Sequence, residues 1–468
     1  MNKGNGKHIS LMLCGLAFAI ILASCAPMEG DIEAIKDRMG AGEPLAGSVS
    51  IIGDKLVNAT LSAAVNTPGQ SRPLSYKWYS GGTLTGTGST YKVQDVKGTQ
   101  NITVEVSRYG NSGTLASAAV AIPDIIGIYT ADDIQSMDNG YWHPGPWGLN
   151  REYILVNDIS ITMTGAQAWR PIVFYEGSFN GNGKTITLNL EYTDANYDAQ
   201  LHDTVGLFGW SGDLQVKNLK LKGMITINHS GELSAVGALA GDTYGHISNV
   251  YSSVSINVIK GGHEYATELN VGGLVGKFGG GTIENCYTAL PYGGISVNNF
   301  TGDNVYIGGI AGQIDKSHAA SATLRYCYSN ANVFSQNSYY EDNSAGGIAG
   351  FLNGTGTALS YCVALNSTIS NNSSPDAGRI AGKNSGGSLG NNYALDTMRI
   401  NGTVVTGSLG DTDGLDFAIT DTEASFGSWW YDASRWTLVW GGTDDEHPWK
   451  WDSTNNRPML WFMTRFNN

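Results

Sequence analysis

A glycine-rich block recurs six times in this chain, ending at Gly209, Gly241, Gly276, Gly312, Gly350 and Gly382, so that the last glycines step by 32, 35, 36, 38 and 32 residues. Each block carries one apolar residue near its centre: Leu207, Leu239, Leu274, Ile310, Ile348 and Ile380. A period of this length marks stacked supersecondary units, none of which can bury its apolar face alone. A second block follows each first one; Ile247-Ser248-Asn249-Val250-Tyr251-Ser252, Ile283-Glu284-Asn285-Cys286-Tyr287-Thr288 and Leu324-Arg325-Tyr326-Cys327-Tyr328-Ser329 show its form. Then comes an alternating stretch such as 253–258, and period-2 alternation predicts a half-buried strand. Each repeat therefore reads as three short strands joined by unequal loops, with no competing helical period. The expected fold is all-β, one repeat forming one coil of a right-handed parallel β-solenoid over 124–410. Coils would stack at ~4.8 Å, spanning roughly 24 Å from first to last block. The central apolar residues would point inward, and the glycines would serve left-handed turns or close backbone approaches. The rival architecture is a six-bladed β-propeller, whose blades run to about 40–45 residues and four strands.

The blocks resemble the GLUG family, named for its Gly-Leu-any-Gly core. Six blocks in phase, each with its partner, carry the resemblance over residues 124–400. The lead-in adds to it: 128–134, 153–159, Trp169-Arg170-Pro171-Ile172 and 177–186 look like the segment that commonly precedes such repeats. The resemblance implies a surface or secreted bacterial protein with a β-helical region, and no single activity. Arg379 replaces the second glycine of the last block, which suggests a fading end of the solenoid.

Lys3 and Lys7 precede an apolar run from Ile9 to Ala23, closed by Leu22-Ala23-Ser24-Cys25. This order of charged, apolar and small residues is that of a secretory signal, here 1–24, and the run is short for a membrane span of about 20 residues. The closing tetrapeptide resembles a bacterial lipobox, which implies lipidation of Cys25 and a membrane anchor, with 25–45 as a tether. Ala26 follows the cysteine, and the absence of aspartate there leans towards the outer membrane or cell surface. Loss of two lysines and no acid would take the formal charge from −14 to −16. An acidic chain without a basic patch is not a nucleic-acid binder.

Residues 46–123 hold repeated strand patterns separated by turn signals. They resemble a bacterial immunoglobulin-like β-sandwich lacking the disulfide of antibody domains, with Trp78 as its core tryptophan. The C-terminal region, 411–468, holds seven of the 12 tryptophans. It reads as a cap over the open end of the solenoid or as a carbohydrate platform. Cys286, Cys327 and Cys362 occupy one position in three successive repeats. An inward ladder of small side chains is favoured over a disulfide or a metal site, because in-register Cβ atoms ~4.8 Å apart exceed the usual disulfide separation. Catalytic signals are weak. His263-Glu264-Tyr265 stops short of a zinc-protease motif, 411–416 lacks a full calcium loop, and acids such as Glu284 are scattered. The sequence therefore predicts a monomeric, non-enzymatic surface lipoprotein with no cofactor and no metal, binding a host protein, matrix or glycan. A passive envelope role and a polysaccharide-active enzyme are the alternatives.

Overall fold

The structure is a computed structural model describing residues 43–68, 72–137, 139–140, 143–144, 151–163, 169–196, 203–261, 268–290, 293–336, 342–372, 376–405, 418–432, 434–436 and 439–463. Cys25, the signal and most of the tether lie outside these residues, as do His263 and the 411–416 segment. The chain divides into two compact units, Met1–Asp124 and Ile125–Asn468.

The first unit is built from two antiparallel sheets. One orders Ser48–Ile52, Thr60–Asn66 and Thr90–Lys92; the other orders Thr83–Thr87, Leu74–Ser80, Gln100–Arg108 and Leu115–Ala116, with Val120–Ile122 also on Gln100–Arg108. Alternation along Gln100–Arg108 buries Ile102, Val104 and Val106 completely. Trp78 is fully buried, stacks on Tyr91 at 5.6 Å, and its indole N–H donates to the Gly88 carbonyl at 2.9 Å. The indole thereby buries a large apolar area without orphaning its donor.

In the second unit, strands pair in parallel with their counterparts one repeat later, which overturns the propeller. A blade pairs neighbouring strands antiparallel, whereas here Val271 lies beside Ile307 and Ile283 beside Leu324. The unit is a β-solenoid. Six first-block strands, Thr204–Val205, Ala235–Gly237, Glu268–Gly272, Asn304–Gly308, Ser344–Gly346 and Ala377–Gly378, form one sheet in sequence order. The lead-in strands Ile125–Ile128, Glu152–Leu155 and Ser178–Asn180 add three earlier rungs to the second-block ladder. All six central apolar residues are fully buried. From the fourth coil on, each coil holds five strand segments rather than three, whereas in the first two coils they run together in the 21-residue strands Phe208–Asn228 and Ala240–Lys260. The fourth coil shows them separately: Asn304–Gly308, Ala311–Ile314, Ala322–Arg325, Tyr328–Ser329 and Asn332–Gln336. A two-residue strand such as Tyr328–Ser329 is too short to display a period of two.

The two blocks divide the labour of turning the chain. No glycine of the first blocks has positive φ; they are required by close approach. Left-handed backbone falls instead on the second block, at Asn218, Asn249, Asn285, Tyr326, Tyr361 and Asn391, with φ of 52–57°. Asparagine tolerates this region better than other non-glycine residues. Tyr326 and Tyr361 do not, but their rings stack on each other at 5.0 Å.

The residue after this corner is buried in every coil: Leu219, Val250, Cys286, Cys327, Cys362 and Asn392. The three cysteines are free thiols. Burial pushes the Cys327 and Cys362 thiols well above their ordinary pKa, which makes them inert packing groups. Cys327→Ala should cost about 1–2 kcal/mol through the cavity it opens, and Cys327→Val should cost less. Urea denaturation of the two variants checks the order, and equal losses would argue against packing as the residue's role.

The tryptophan-rich region does not sit simply over the open end. Ala418–Ile419 adds one parallel strand to the last coil, against Ala394–Leu395. The chain then runs back along the flank towards the first coils. Trp429 packs on Tyr393 at 4.9 Å, Trp430 on Tyr328 at 5.7 Å, and Trp449 on Tyr287 at 5.7 Å. Asp445 reaches Lys217 and Asn218, and Phe462 lies against Gly183. The reason is the exposed side of the second block: Tyr251, Tyr287 and Tyr328 stack at 4.6 Å intervals into a continuous aromatic ladder, and the tail covers it.

Candidate functional site

Each first block ends in glycine, and the residue after that glycine starts a second ladder. Parallel pairing lines up Trp210, Asp242, Lys277, Gln313, Phe351 and Lys383 in consecutive coils. From one coil to the next these residues change in chemistry while their surroundings repeat, which is what a recognition surface on a regular scaffold requires. The ladder meets residues of the neighbouring first-block sheet. Lys277 Nζ lies 3.3 Å from Glu268 Oε1, and Tyr306 packs on Phe351 at 4.9 Å.

Charge concentrates in the middle coils. Lys277 Nζ also lies 3.4 Å from Asp315 Oδ2, and Ser317 donates to Asp315 Oδ1 from its backbone N–H at 3.1 Å and its hydroxyl at 2.7 Å. Burial alone would lower the Lys277 pKa, but the Glu268, Asp315 and Asp242 carboxylates hold it above its ordinary value. Burial pushes the Asp242 carboxyl up to about 7; Lys277 opposes that rise, while Asp315, Glu268 and Asp203 add to it.

An aromatic row borders this cluster. Phe174 meets Trp210 edge-on at 5.2 Å, Trp210 meets His318 at 6.3 Å, and His318 stacks on Tyr244 at 5.2 Å. His318 comes from the fourth coil and reaches back across the third, where Gly279-Gly280-Gly281 leaves room. A Cβ on Gly279 would fall 2.7 Å from His318 Cδ2. Phe174 is 43% exposed and has φ of 56°, a costly conformation for a bulky residue.

The residues singled out from sequence lie elsewhere. Trp430, Trp436 and Trp449 are fully buried between the tail and the tyrosine ladder and offer no platform; Trp440, Trp451 and Trp461 are partly exposed. Trp461 lines a cleft of about 660 Å³ with Asn180, Asn182, Asn218 and Asp444–Glu446. Glu284 is held by Arg325 at 2.7 Å and His246 at 3.4 Å. No group of three metal-ligating side chains converges among the described residues. Sequence reasoning missed Trp210, Asp242, Lys277 and Gln313. The signal was their shared place after the last glycine.

No family model matches the chain. It is similar to a putative Gly-rich membrane protein of Evansella cellulosilytica (strain ATCC 21833), with 40% identity over 113 residues, 22% of this chain. The match spans 12% of that protein's length.

Proposed function

We propose that this is a cell-surface lipoprotein of the GLUG type whose solenoid flank binds a glycan. The aromatic row Phe174, Trp210, Tyr244 and His318 beside the Asp242–Lys277–Gln313 ladder carries the reading. Part-exposed rings stack on the apolar faces of pyranoses, and carboxylate, amide and ammonium groups at one edge meet ring hydroxyls. Cys25 would hold the lipid anchor, 25–45 would serve as tether, and the first unit, read as an immunoglobulin-like sandwich, would be a spacer. The handedness of the solenoid is taken as right, as in other parallel crossovers. The name of the Gly-rich relative fits a membrane or surface location.

A glycan and matrix-protein array probed with the mature chain tests the reading. Saturable binding to a saccharide supports it, and silence across the array favours a passive envelope role. Trp210→Ala should then weaken binding by about tenfold or more, which is about 1.4 kcal/mol, while leaving the melting transition near that of the wild type. Unchanged binding would remove the row from the site. A second reading rests on Asp242: a carboxyl that keeps its proton towards neutral pH, close to the Glu268 and Asp315 carboxylates, is what polysaccharide hydrolysis needs. Shortened oligosaccharides after incubation would favour it.

A further inference from the structure

We infer that the ligand of this face is a neutral glycan laid along the solenoid axis, and that the face rejects polyanionic chains. This rests on the glycan-binding reading and specifies the ligand's charge and direction. Three observations lead to it.

The first is direction. The ladder residues are one rung apart, a spacing of about 4.8 Å, and the rings of Trp210 and Tyr244, one coil apart and bridged by His318, border its first rungs. An extended β-linked chain lying parallel to the axis would present roughly one pyranose to each rung. A chain lying across it would meet only one or two of the varied residues.

The second is unmet hydrogen bonding. Gln313 is 2% exposed and Asn270 is 1% exposed, yet Gln313 Oε1 and Asn270 Oδ1 have no donor among the described residues. Asp242 Oδ1 lacks one as well. Gln313 and Asn270 present acceptors, Asp242 does so once ionised, and all sit on the two ladders that meet at Lys277. A buried acceptor without a donor is unfavourable, and ligand hydroxyls are donors that small side-chain adjustments could bring into reach. A carboxylate or sulfate of a polyanion brings acceptors to the same place and satisfies none of them.

The third is charge. Glu268 and Asp315 flank Lys277, Asp203 lies near Asp242, and Glu176 lies beside Gly212 at the Trp210 end. Against these stand Lys277, which is engaged by two carboxylates, Lys383 at the far end of the ladder, which is paired with Asp342 at 3.0 Å, and Lys316. Like charges brought together on this face disfavour a polyanion, so this arrangement discriminates as well as attracts. The upward-shifted Asp242 gives the discrimination a pH dependence: towards pH 5 the carboxyl is neutral, and above pH 7 its charge adds to that of Glu268, Asp315 and Asp203.

The test uses the mature full chain with neutral β-linked hexasaccharides (gluco-, xylo- and manno-) and uronate hexasaccharides of the same length, measured by calorimetry at pH 8 and pH 5. At least one neutral hexasaccharide should bind at least tenfold more tightly than any uronate at pH 8, and the gap should narrow at pH 5. Asp242→Asn should narrow the gap at pH 8 by strengthening uronate binding, and the gap should then change less between pH 8 and pH 5 than it does in the wild type, with a melting transition no lower than wild type. Uronates that bind as well as the neutral chains would overturn the inference and leave glycan binding standing. If no hexasaccharide of either kind binds, the glycan-binding reading itself falls.

Discussion

Trp449→Ala should lose about 3–5 kcal/mol of stability, the range for truncating a fully buried large aromatic. Trp449 is wholly inaccessible, and its ring lies 5.7 Å from Tyr287, 5.8 Å from Tyr328 and 4.8 Å from Trp436. Its indole N–H donates at 3.1 Å to Asn285 Oδ1, the side chain of a left-handed corner residue. One side chain therefore fastens the tail to both the tyrosine ladder and the turn that carries it. Trp449→Phe keeps much of the packing and removes the donor, and should lose about 1–3 kcal/mol. The tail adds further bonds at the ladder's ends: Tyr328 donates to the Pro458 carbonyl at 2.8 Å, and Trp436 donates to the Tyr361 carbonyl at 2.8 Å. Urea denaturation followed by tryptophan fluorescence reads the loss. A loss below about 1 kcal/mol for the alanine variant would mean that the solenoid holds its shape without the tail. A glycan platform at these tryptophans makes the opposite forecast, unchanged stability and weakened binding, and their burial argues against it.

The parts of the fold that were legible in sequence are those that repeat. Leu274 and Ile310 occupy equivalent places, and an inward apolar ladder follows from that equivalence alone. The cysteines were legible for the same reason. Asn285 was visible as a repeated letter, but its cause, a left-handed corner, was not, because glycine was the more obvious candidate for positive φ and proved to serve close approach instead. The ladder from Trp210 to Lys383 is fixed by the same register, yet no two neighbouring members are alike, so a search for similarity passes over it. The path of the tail was not legible at all. It depends on pairs such as Lys217 with Asp445 and Tyr287 with Met463, separated by 228 and 176 positions, and no local pattern encodes such distant partners. An open solenoid end calls for a cap; the tail instead follows the tyrosine ladder on the flank, where Tyr287 and Tyr328 lie almost wholly inaccessible beneath it.

Gly308 of the first block yields the second large effect, and two glycines outside those blocks, Gly354 and Gly390, separate its possible causes. Gly308 ends the strand Asn304–Gly308, and a Cβ placed on it would overlap the Ala311 carbonyl oxygen of its own coil. The same atom would lie 2.7 Å from the Gly350 nitrogen and 2.8 Å from the Ala349 Cα of the next coil. All three obstacles are backbone, so no side-chain rotation relieves them, and the coils would have to part. Overpacking costs about 1–3 kcal/mol where side chains can adjust; Gly308→Ala should lose at least the upper end of that, about 3 kcal/mol. Gly354 has open space around it but φ of 91°, so Gly354→Ala should lose only the smaller conformational cost of about 1 kcal/mol. Gly390 has neither constraint, and Gly390→Ala should be neutral or gain about 0.5 kcal/mol from the reduced freedom of the unfolded chain. Equilibrium denaturation of the three variants should return that order. If Gly308→Ala matched Gly390→Ala, the coils would not be held at the separation that the glycine blocks permit, and the repeat would need another physical explanation.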